Sequence, residues 1–269
     1  MSLAFMMGCQ DTTEISEQET NEAVTIIESV FAQSSIDVGN ATSTTTSSFG
    51  RGGYGFGFGF GDCIGVTRED NEGGYPKTIT IDYGVDCTYN DVTKSGKLVI
   101  TVTGSRNETG TQWIVDYDQF TVNGYLFSGT EIFTNTGGGA YTISMTDGKI
   151  VTPEGEEITW VHDKVRNQIA GTSTEERNDD GFETIGTSYG ISTEGFVYQR
   201  EITSPLITYG SCFWVMSGVV ESTVGEVSYT IDFGDGTCDN IATRTENGVT
   251  EEFTMDFRMK KFRRGKAHD

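Results

Sequence analysis

Lys77-Thr-Ile-Thr-Ile-Asp-Tyr-Gly84 alternates apolar and polar side chains with a period of two. Successive side chains of an extended segment point to opposite faces, so Ile79, Ile81 and Tyr83 share one face. Two later segments repeat the alternation, with apolar residues at Leu98, Ile100 and Val102, and at Trp113, Val115 and Tyr117. These patterns predict strands of a sheet with one buried and one exposed face.

Turn signals separate these segments at short intervals. Asn or Asp followed by Gly tolerates the positive φ angles of tight hairpins. Such dipeptides occur at Asn123-Gly124, Asp147-Gly148, Asp180-Gly181, Asp235-Gly236 and Asn247-Gly248. The spacing favours sequential antiparallel hairpins over parallel crossovers. We expect an all-β antiparallel meander of about ten to fourteen strands, forming a curved sheet, a sandwich or an incomplete barrel.

The apolar spacing before the predicted strands is helical. Apolar residues recur at three- and four-residue spacing and predict one short helix, at Ala23, Ile26, Ile27, Val30 and Phe31. We divide the chain into a truncated lipoprotein signal (1–9), an acidic tether with the helix (10–50), a β domain (51–257) and a basic tail (258–269).

A short apolar run, Gly8 and Cys9 stand at the amino terminus. A small residue followed by cysteine resembles the end of a bacterial lipoprotein signal, where the thiol is acylated. Two acyl chains suffice for stable anchoring. We therefore expect lipidation of Cys9 and an outer-membrane location, on the cell surface or the periplasmic face.

Charge is strongly asymmetric, with 40 acidic and 18 basic residues and a net charge of −22. A field of this sign repels phosphate backbones, so nucleic acid is excluded as a partner. Basic residues cluster near the carboxyl terminus at Arg258, Lys260, Lys261, Arg263, Arg264 and Lys266. The cluster is interpreted as a solvated terminus; contact with lipid head groups or an acidic partner is the alternative.

The β domain contains a weak internal duplication. Thr80-Ile-Asp-Tyr-Gly84 is followed by Cys87, and Thr230-Ile-Asp-Phe-Gly234 by Cys238; Cys63 and Cys212 precede them. The four cysteines can pair within each copy (Cys63–Cys87 and Cys212–Cys238) or across the copies (Cys63–Cys212 and Cys87–Cys238). Either arrangement requires an oxidising compartment.

The segments Tyr75–Gly84 and Lys94–Gly104, with the closing Thr230–Asn240, resemble a group of uncharacterised β-rich outer-membrane lipoproteins of Bacteroidetes. The resemblance implies an outer-membrane lipoprotein with a short amino-terminal helix. It supplies no catalytic residue, because the shared motifs are structural.

Two motifs have the form of a catalytic site. Gly186-Thr-Ser188-Tyr-Gly190 matches the nucleophile-elbow pattern, which requires a strand–turn–helix and a histidine base. It lies in β-type sequence, and the only internal histidine, His162, is expected to form a surface pair with Asp163. Glu154, Glu156 and Glu157 with Asp116 or Asp118 form a weak candidate glycosidase dyad, for which a solvated acidic loop is the preferred interpretation. We assign no catalytic residue.

Two further groups are candidates for binding. Aromatic rings alternate with glycines at Tyr54, Phe56, Phe58 and Phe60. A strand there would present four rings on one face, where they could contact a sugar, a hydrophobic partner or a membrane. The alternative is an aromatic strip buried in the core, or a loop. Oxygen side chains cluster at turns, at Asp82, Asp86, Asn90, Asp232, Asp235, Asp239 and Asn240. Calcium favours such ligands, but turns favour the same residues, so we expect no metal and no cofactor.

The sequence therefore favours a non-catalytic, lipid-anchored envelope protein that binds a partner or is an accessory subunit of an outer-membrane complex. A carbohydrate-binding or carbohydrate-active surface lipoprotein and a carrier of an apolar ligand are the alternatives. Exposed coplanar aromatics would favour glycan binding, an apolar cavity the carrier, and paired carboxylates in a cleft a hydrolase.

Overall fold

A computed structural model describes residues 38, 63–89, 92–174, 179–193, 195–212 and 214–255. Four predicted features lie outside these residues: Cys9, the helix from Ala23 to Phe31, the alternating rings from Tyr54 to Phe60, and the basic tail from Arg258. No described segment forms a helix with the length and hydropathy needed to cross a lipid bilayer.

The described chain forms one open sheet of fourteen antiparallel strands, and this confirms the predicted all-β meander. Neighbours along the chain are neighbours in the sheet, except that β3 pairs with the start of β4, beside β2. The strands are β1 (Gly65–Asn71), β2 (Gly74–Asp82), β3 (Cys87–Tyr89), β4 (Val92–Val102), β5 (Gln112–Val122), β6 (Tyr125–Gly137), β7 (Ala140–Val151), β8 (Glu157–Ala170), β9 (Gly181–Ile191), β10 (Val197–Tyr209), β11 (Ser217–Val224), β12 (Val227–Asp235), β13 (Ile241–Glu246) and β14 (Val249–Thr254).

The period-two alternation sorts side chains onto a buried inner face and an exposed outer face. All nine apolar residues predicted to share a face are buried, eight of them in β2, β4 and β5 and Tyr83 directly after β2. Val38, which has helical conformation, is buried in the same cluster. Burial of apolar area on this face supplies the main stabilisation of the sheet.

Two of the five predicted turn dipeptides form tight hairpin turns. Asn123-Gly124 joins β5 to β6 and Asn247-Gly248 joins β13 to β14, all four residues at positive φ. The prediction at Asp147-Gly148 is wrong, because this dipeptide lies inside β7 and forms a bulge there. A Cβ on Gly148 would overlap the Trp160 carbonyl oxygen of β8, so the glycine serves close strand approach.

The internal duplication corresponds to two hairpins, each closed by a disulfide. Cys63 precedes β1 and bonds Cys87, which follows β2; Cys212 precedes β11 and bonds Cys238, which follows β12. The local pairing is therefore the one adopted, with sequence separations of 24 and 26.

The two copies also share their turn chemistry. Asp82 Oδ1 accepts a hydrogen bond from the Gly84 amide at 2.8 Å, and Asp232 Oδ1 accepts one from the Gly234 amide at 2.9 Å. Both glycines have positive φ. The repeated Asp-(Tyr/Phe)-Gly thus forms an Asx turn in each copy, after the last residue of β2 and within the last residues of β12.

Because the two disulfide loops have almost equal length, removal of either bridge should cost a similar loop-closure entropy. We expect Cys63→Ala/Cys87→Ala and Cys212→Ala/Cys238→Ala each to lower the free energy of unfolding by about 3 kcal/mol, measured by urea denaturation. Unchanged midpoints for both variants would contradict this role of the bridges.

Candidate functional site: a buried polar chain and an acidic outer face

Four side chains of β5, β6 and β8 form a buried polar chain on the inner face. Tyr117 Oη donates a hydrogen bond to Glu131 Oε2 at 3.0 Å, and His162 Nε2 lies 3.2 Å from Glu131 Oε1. Trp160 Nε1 donates to His162 Nδ1 at 3.2 Å. All four residues are buried, with Glu131 only 1% exposed and His162 only 2%.

Strand register places these groups together. Val115, Glu131, Met145 and His162 are successive cross-strand partners from β5 to β8. Glu131 and His162 therefore flank Met145 on the same face. Trp160 lies two residues before His162 in β8, and side chains at this separation share a face.

Trp160 defines the role of one ring nitrogen of His162. An indole N–H only donates, so Nδ1 accepts this hydrogen bond. His162 lies inside the sheet, with Nε2 at ion-pair distance from Glu131. The predicted surface pair of His162 with Asp163 is therefore wrong, because consecutive strand residues face opposite sides.

The candidate nucleophile, Ser188, lies beside the buried polar chain. Ser188 is the cross-strand partner of His162 and is 3% exposed, but the whole Gly186–Gly190 motif lies inside β9. A nucleophile elbow requires a sharp turn from strand to helix, which an extended strand does not provide. The geometry does not support a nucleophilic role for Ser188.

The glycines of this motif have a packing role. A Cβ on Gly190 would overlap the Tyr198 hydroxyl, which crosses this position to donate to the Thr159 carbonyl oxygen at 2.8 Å. The Tyr198 ring stacks on Trp160 with centroids 4.8 Å apart. The absence of a side chain at Gly190 thereby lets Tyr198 of β10 pack against Trp160 of the buried polar chain.

We expect Gly190→Ala to lower the free energy of unfolding by about 3 kcal/mol, because the methyl group displaces Tyr198 from Trp160. Gly65→Ala in β1 is the matched control, because its Cβ would meet only ordinary contacts at 3.8 Å and beyond. Equal unfolding midpoints for the two variants in urea would contradict the packing role of Gly190.

The polar chain should behave as one energetic unit. In a double-mutant cycle of Tyr117→Phe and Glu131→Gln, we expect a coupling free energy of about 1–2 kcal/mol, because both changes act on the same buried hydrogen bond. Chemical denaturation of the four proteins measures it. Strict additivity would show that the two side chains do not interact in solution.

The outer face of β8 to β14 has the opposite character. Its ionisable side chains, assigned by alternation and register, are all acidic: Glu157, Asp163, Glu183, Glu201, Glu221, Asp232 and Glu252. The described basic residues of these strands alternate onto the inner face: Lys164, Arg166, Arg200 and Arg244. The basic residues of these strands thus lie on the inner face, together with Glu246 and Glu251.

Arg166 shows how burial on the inner face changes the pKa of a basic group. Its guanidinium lies 4.0 Å from the centroid of the Phe182 ring. Burial lowers its pKa to about 10, a shift that nearby Tyr141 and Asp180 partly oppose. The group remains protonated at neutral pH, so it supplies a fixed positive charge and a cation–π contact on the inner face.

Exposed apolar side chains occupy the same outer face. We define the apolar strip as the outward residues of β8, β9 and β10 that are 36–46% exposed: Val161, Val165, Ile169, Ile185, Tyr189, Ile191 and Val197. Val161 pairs with Tyr189, Val165 with Ile185, and Ile191 with Val197. Contiguous exposed apolar side chains rimmed by charge are characteristic of an interaction surface.

The remaining carboxylate candidates have local partners. Asp116 accepts from Thr130 Oγ1 at 2.7 Å, and Glu157 forms an ion pair with Lys149. They stand three strands apart in the sheet order, so they are not brought together as a dyad.

The loop acids of the second copy act as turn formers. Asp235 Oδ1 accepts hydrogen bonds from the hydroxyl and the amide of Thr237, which lower the pKa of this exposed carboxyl. Asp239 Oδ1 accepts one from the Ile241 amide at 2.9 Å. The described residues contain no group of three or more metal-ligating side chains.

Sequence reasoning missed Glu131 and the buried position of His162. The available signal was the phase of the alternation: Glu131 is in phase with Phe127 and Phe133, and His162 with Ile158 and Trp160. A polar residue in the apolar phase of a strand points into the core.

Comparison of the chain with family models, curated proteins and solved structures finds no match.

Proposed function

We propose that this protein is a non-catalytic cell-envelope lipoprotein, held at the outer membrane by acylated Cys9, that binds a partner or serves as an accessory subunit of an outer-membrane complex. The observation that carries the proposal is the pair of disulfide-closed hairpins. Structural disulfides persist in the periplasm and at the cell surface, and reducing compartments remove them.

The distribution of chemical groups supports a binding role over catalysis. His162, Glu131 and Ser188 are each at most 3% exposed, and they sit within the packed inner face. A general base or nucleophile has to reach its substrate. The outer face, by contrast, offers the apolar strip and carboxylates to a macromolecular partner.

Anchoring is tested by expression of the chain behind an export signal in a Gram-negative host. We expect the wild type to partition into the detergent phase of a Triton X-114 separation and Cys9→Ala into the aqueous phase, because only the former gains acyl chains. Identical partitioning of the two forms would contradict the anchor.

The partner is tested by affinity isolation from intact membranes under mild detergent. Recovery of stoichiometric outer-membrane proteins is expected, and their loss with Val165→Glu/Ile185→Glu would place the contact on the apolar strip. Recovery of the chain alone from wild-type membranes would contradict the accessory-subunit role.

A second candidate function, glycan binding, is favoured by Tyr189. This ring is 42% exposed at the centre of the outer face, with Thr187 and Gln199 as outward neighbours in register. An exposed ring flanked by hydrogen-bonding side chains suits stacking on a sugar. The four rings from Tyr54 to Phe60 are a further candidate surface for the same ligand.

Glycan binding predicts that Tyr189→Ala weakens retention on a glycan array by about tenfold, because the stacking ring is lost. Tyr75→Ala is the control, since Tyr75 is similarly exposed, at 46%, but lies in β2. Equal retention of both variants and the wild type would exclude Tyr189 as a sugar platform.

A further inference from the structure

Two carboxylates on the outer face beside the apolar strip have no basic partner among the described residues. Glu201 of β10 and Glu221 of β11 are direct cross-strand partners, and both are exposed. No described Lys or Arg forms an ion pair with either carboxylate. Like charges directly opposite each other in a sheet are unfavourable, so a cationic group placed between them is stabilising.

Asp163 extends this charge across the strip. Asp163, Thr187, Glu201 and Glu221 are successive cross-strand partners from β8 to β11. On either side of this row, the Val161–Tyr189 and Val165–Ile185 pairs supply the apolar contacts. A fitting occupant therefore combines several Lys or Arg residues with a few large apolar side chains.

The segment 256–269 of the same chain has this composition. It contains six of the 18 basic residues. Three large apolar residues, Phe257, Met259 and Phe262, are interspersed with them. It follows Met255, whose amide donates to the Asn240 carbonyl oxygen beside β14. The segment lies outside the described residues, and the outer face that it would meet is fully described.

The distances permit an intramolecular contact. β14 is four strands from β10 and six strands from β8, which is about 19 Å and about 29 Å at the usual strand spacing. Eleven extended residues from Met255 to Lys266 reach about 36 Å. A tethered segment of this length has an effective concentration in the millimolar range, so modest contacts suffice for binding.

We propose that the basic segment Arg258–Lys266 binds in cis to the acidic, apolar outer face of β8–β11, with Lys and Arg side chains between Asp163, Glu201 and Glu221. The segment covers the apolar strip in the free protein. A partner that uses this strip displaces the segment, so partner binding and tail release are coupled.

The test is zero-length carbodiimide cross-linking of the full chain with intact disulfides, followed by peptide mass spectrometry. The proposal expects intramolecular links from Lys260, Lys261 or Lys266 to Asp163, Glu201 or Glu221. The yield should be independent of protein concentration and should fall at high ionic strength, because exposed charge pairs are screened.

A matched pair of neutralised variants removes the same number of charges from two parts of the outer face. Glu201→Gln/Glu221→Gln should raise the rate of tryptic cleavage within 258–266 by about fivefold, whereas Asp116→Asn/Asp118→Asn in β5 should leave it unchanged. Circular dichroism verifies that both variants are folded.

Three outcomes would overturn the proposal: tail lysines linked only to other carboxylates, links that form only between chains, or equal tryptic rates in both variants. Tail-dependent binding to phosphatidylglycerol vesicles without links to Glu201 or Glu221 would assign the segment to a lipid surface instead. Since the test uses the isolated chain, its failure leaves the anchoring and co-isolation experiments unaffected.

Discussion

Two short disulfide loops hold the hairpins near the two ends of the open sheet. Each bridge joins the residue before a hairpin to the segment after it, so the open end of the hairpin cannot separate. β1 is an edge strand, because among the described strands it pairs only with β2, and its bridge holds this edge to the sheet. Such bonds form and persist in an oxidising environment.

Within this frame, strand register decides what each reactive side chain can do. His162, Glu131 and Ser188 would suggest hydrolysis if they lined a cleft. Here the first two are linked to Tyr117 and Trp160 inside the sheet, and Ser188 is buried beside them. Buried hydrogen bonds of this kind rigidify a core and specify its packing. These residues consequently contribute to the packing of the scaffold.

Much of the fold was predictable, because period-two alternation and turn chemistry are local properties of the sequence. The buried faces of β2, β4 and β5 and the turns at Asn123-Gly124 and Asn247-Gly248 follow from them directly. Asp147-Gly148 was misread because a bulge and a turn use the same residues, and only the neighbouring strand distinguishes them. The pairing of the cysteines also needed the structure, since sequence spacing allowed both local and crossed bridges.

The candidate site was less predictable, because it depends on contacts between distant strands. Glu131 and His162 meet through the registers of β6, β7 and β8, which no local pattern encodes. The inward position of the basic residues across β8–β14 became visible only once the two faces of every strand had been assigned. The alternation of each strand does encode the face that each side chain occupies, but the bulges have to be located before the alternation can be followed.

The most direct test of the central claim is disulfide mapping of the protein isolated from its native cells with thiols blocked at lysis. The account predicts peptides joined through Cys63–Cys87 and Cys212–Cys238, with none of these four thiols carrying the blocking label. Four labelled thiols, or peptides joined across the two copies, would contradict both the fold and the compartment inferred from it.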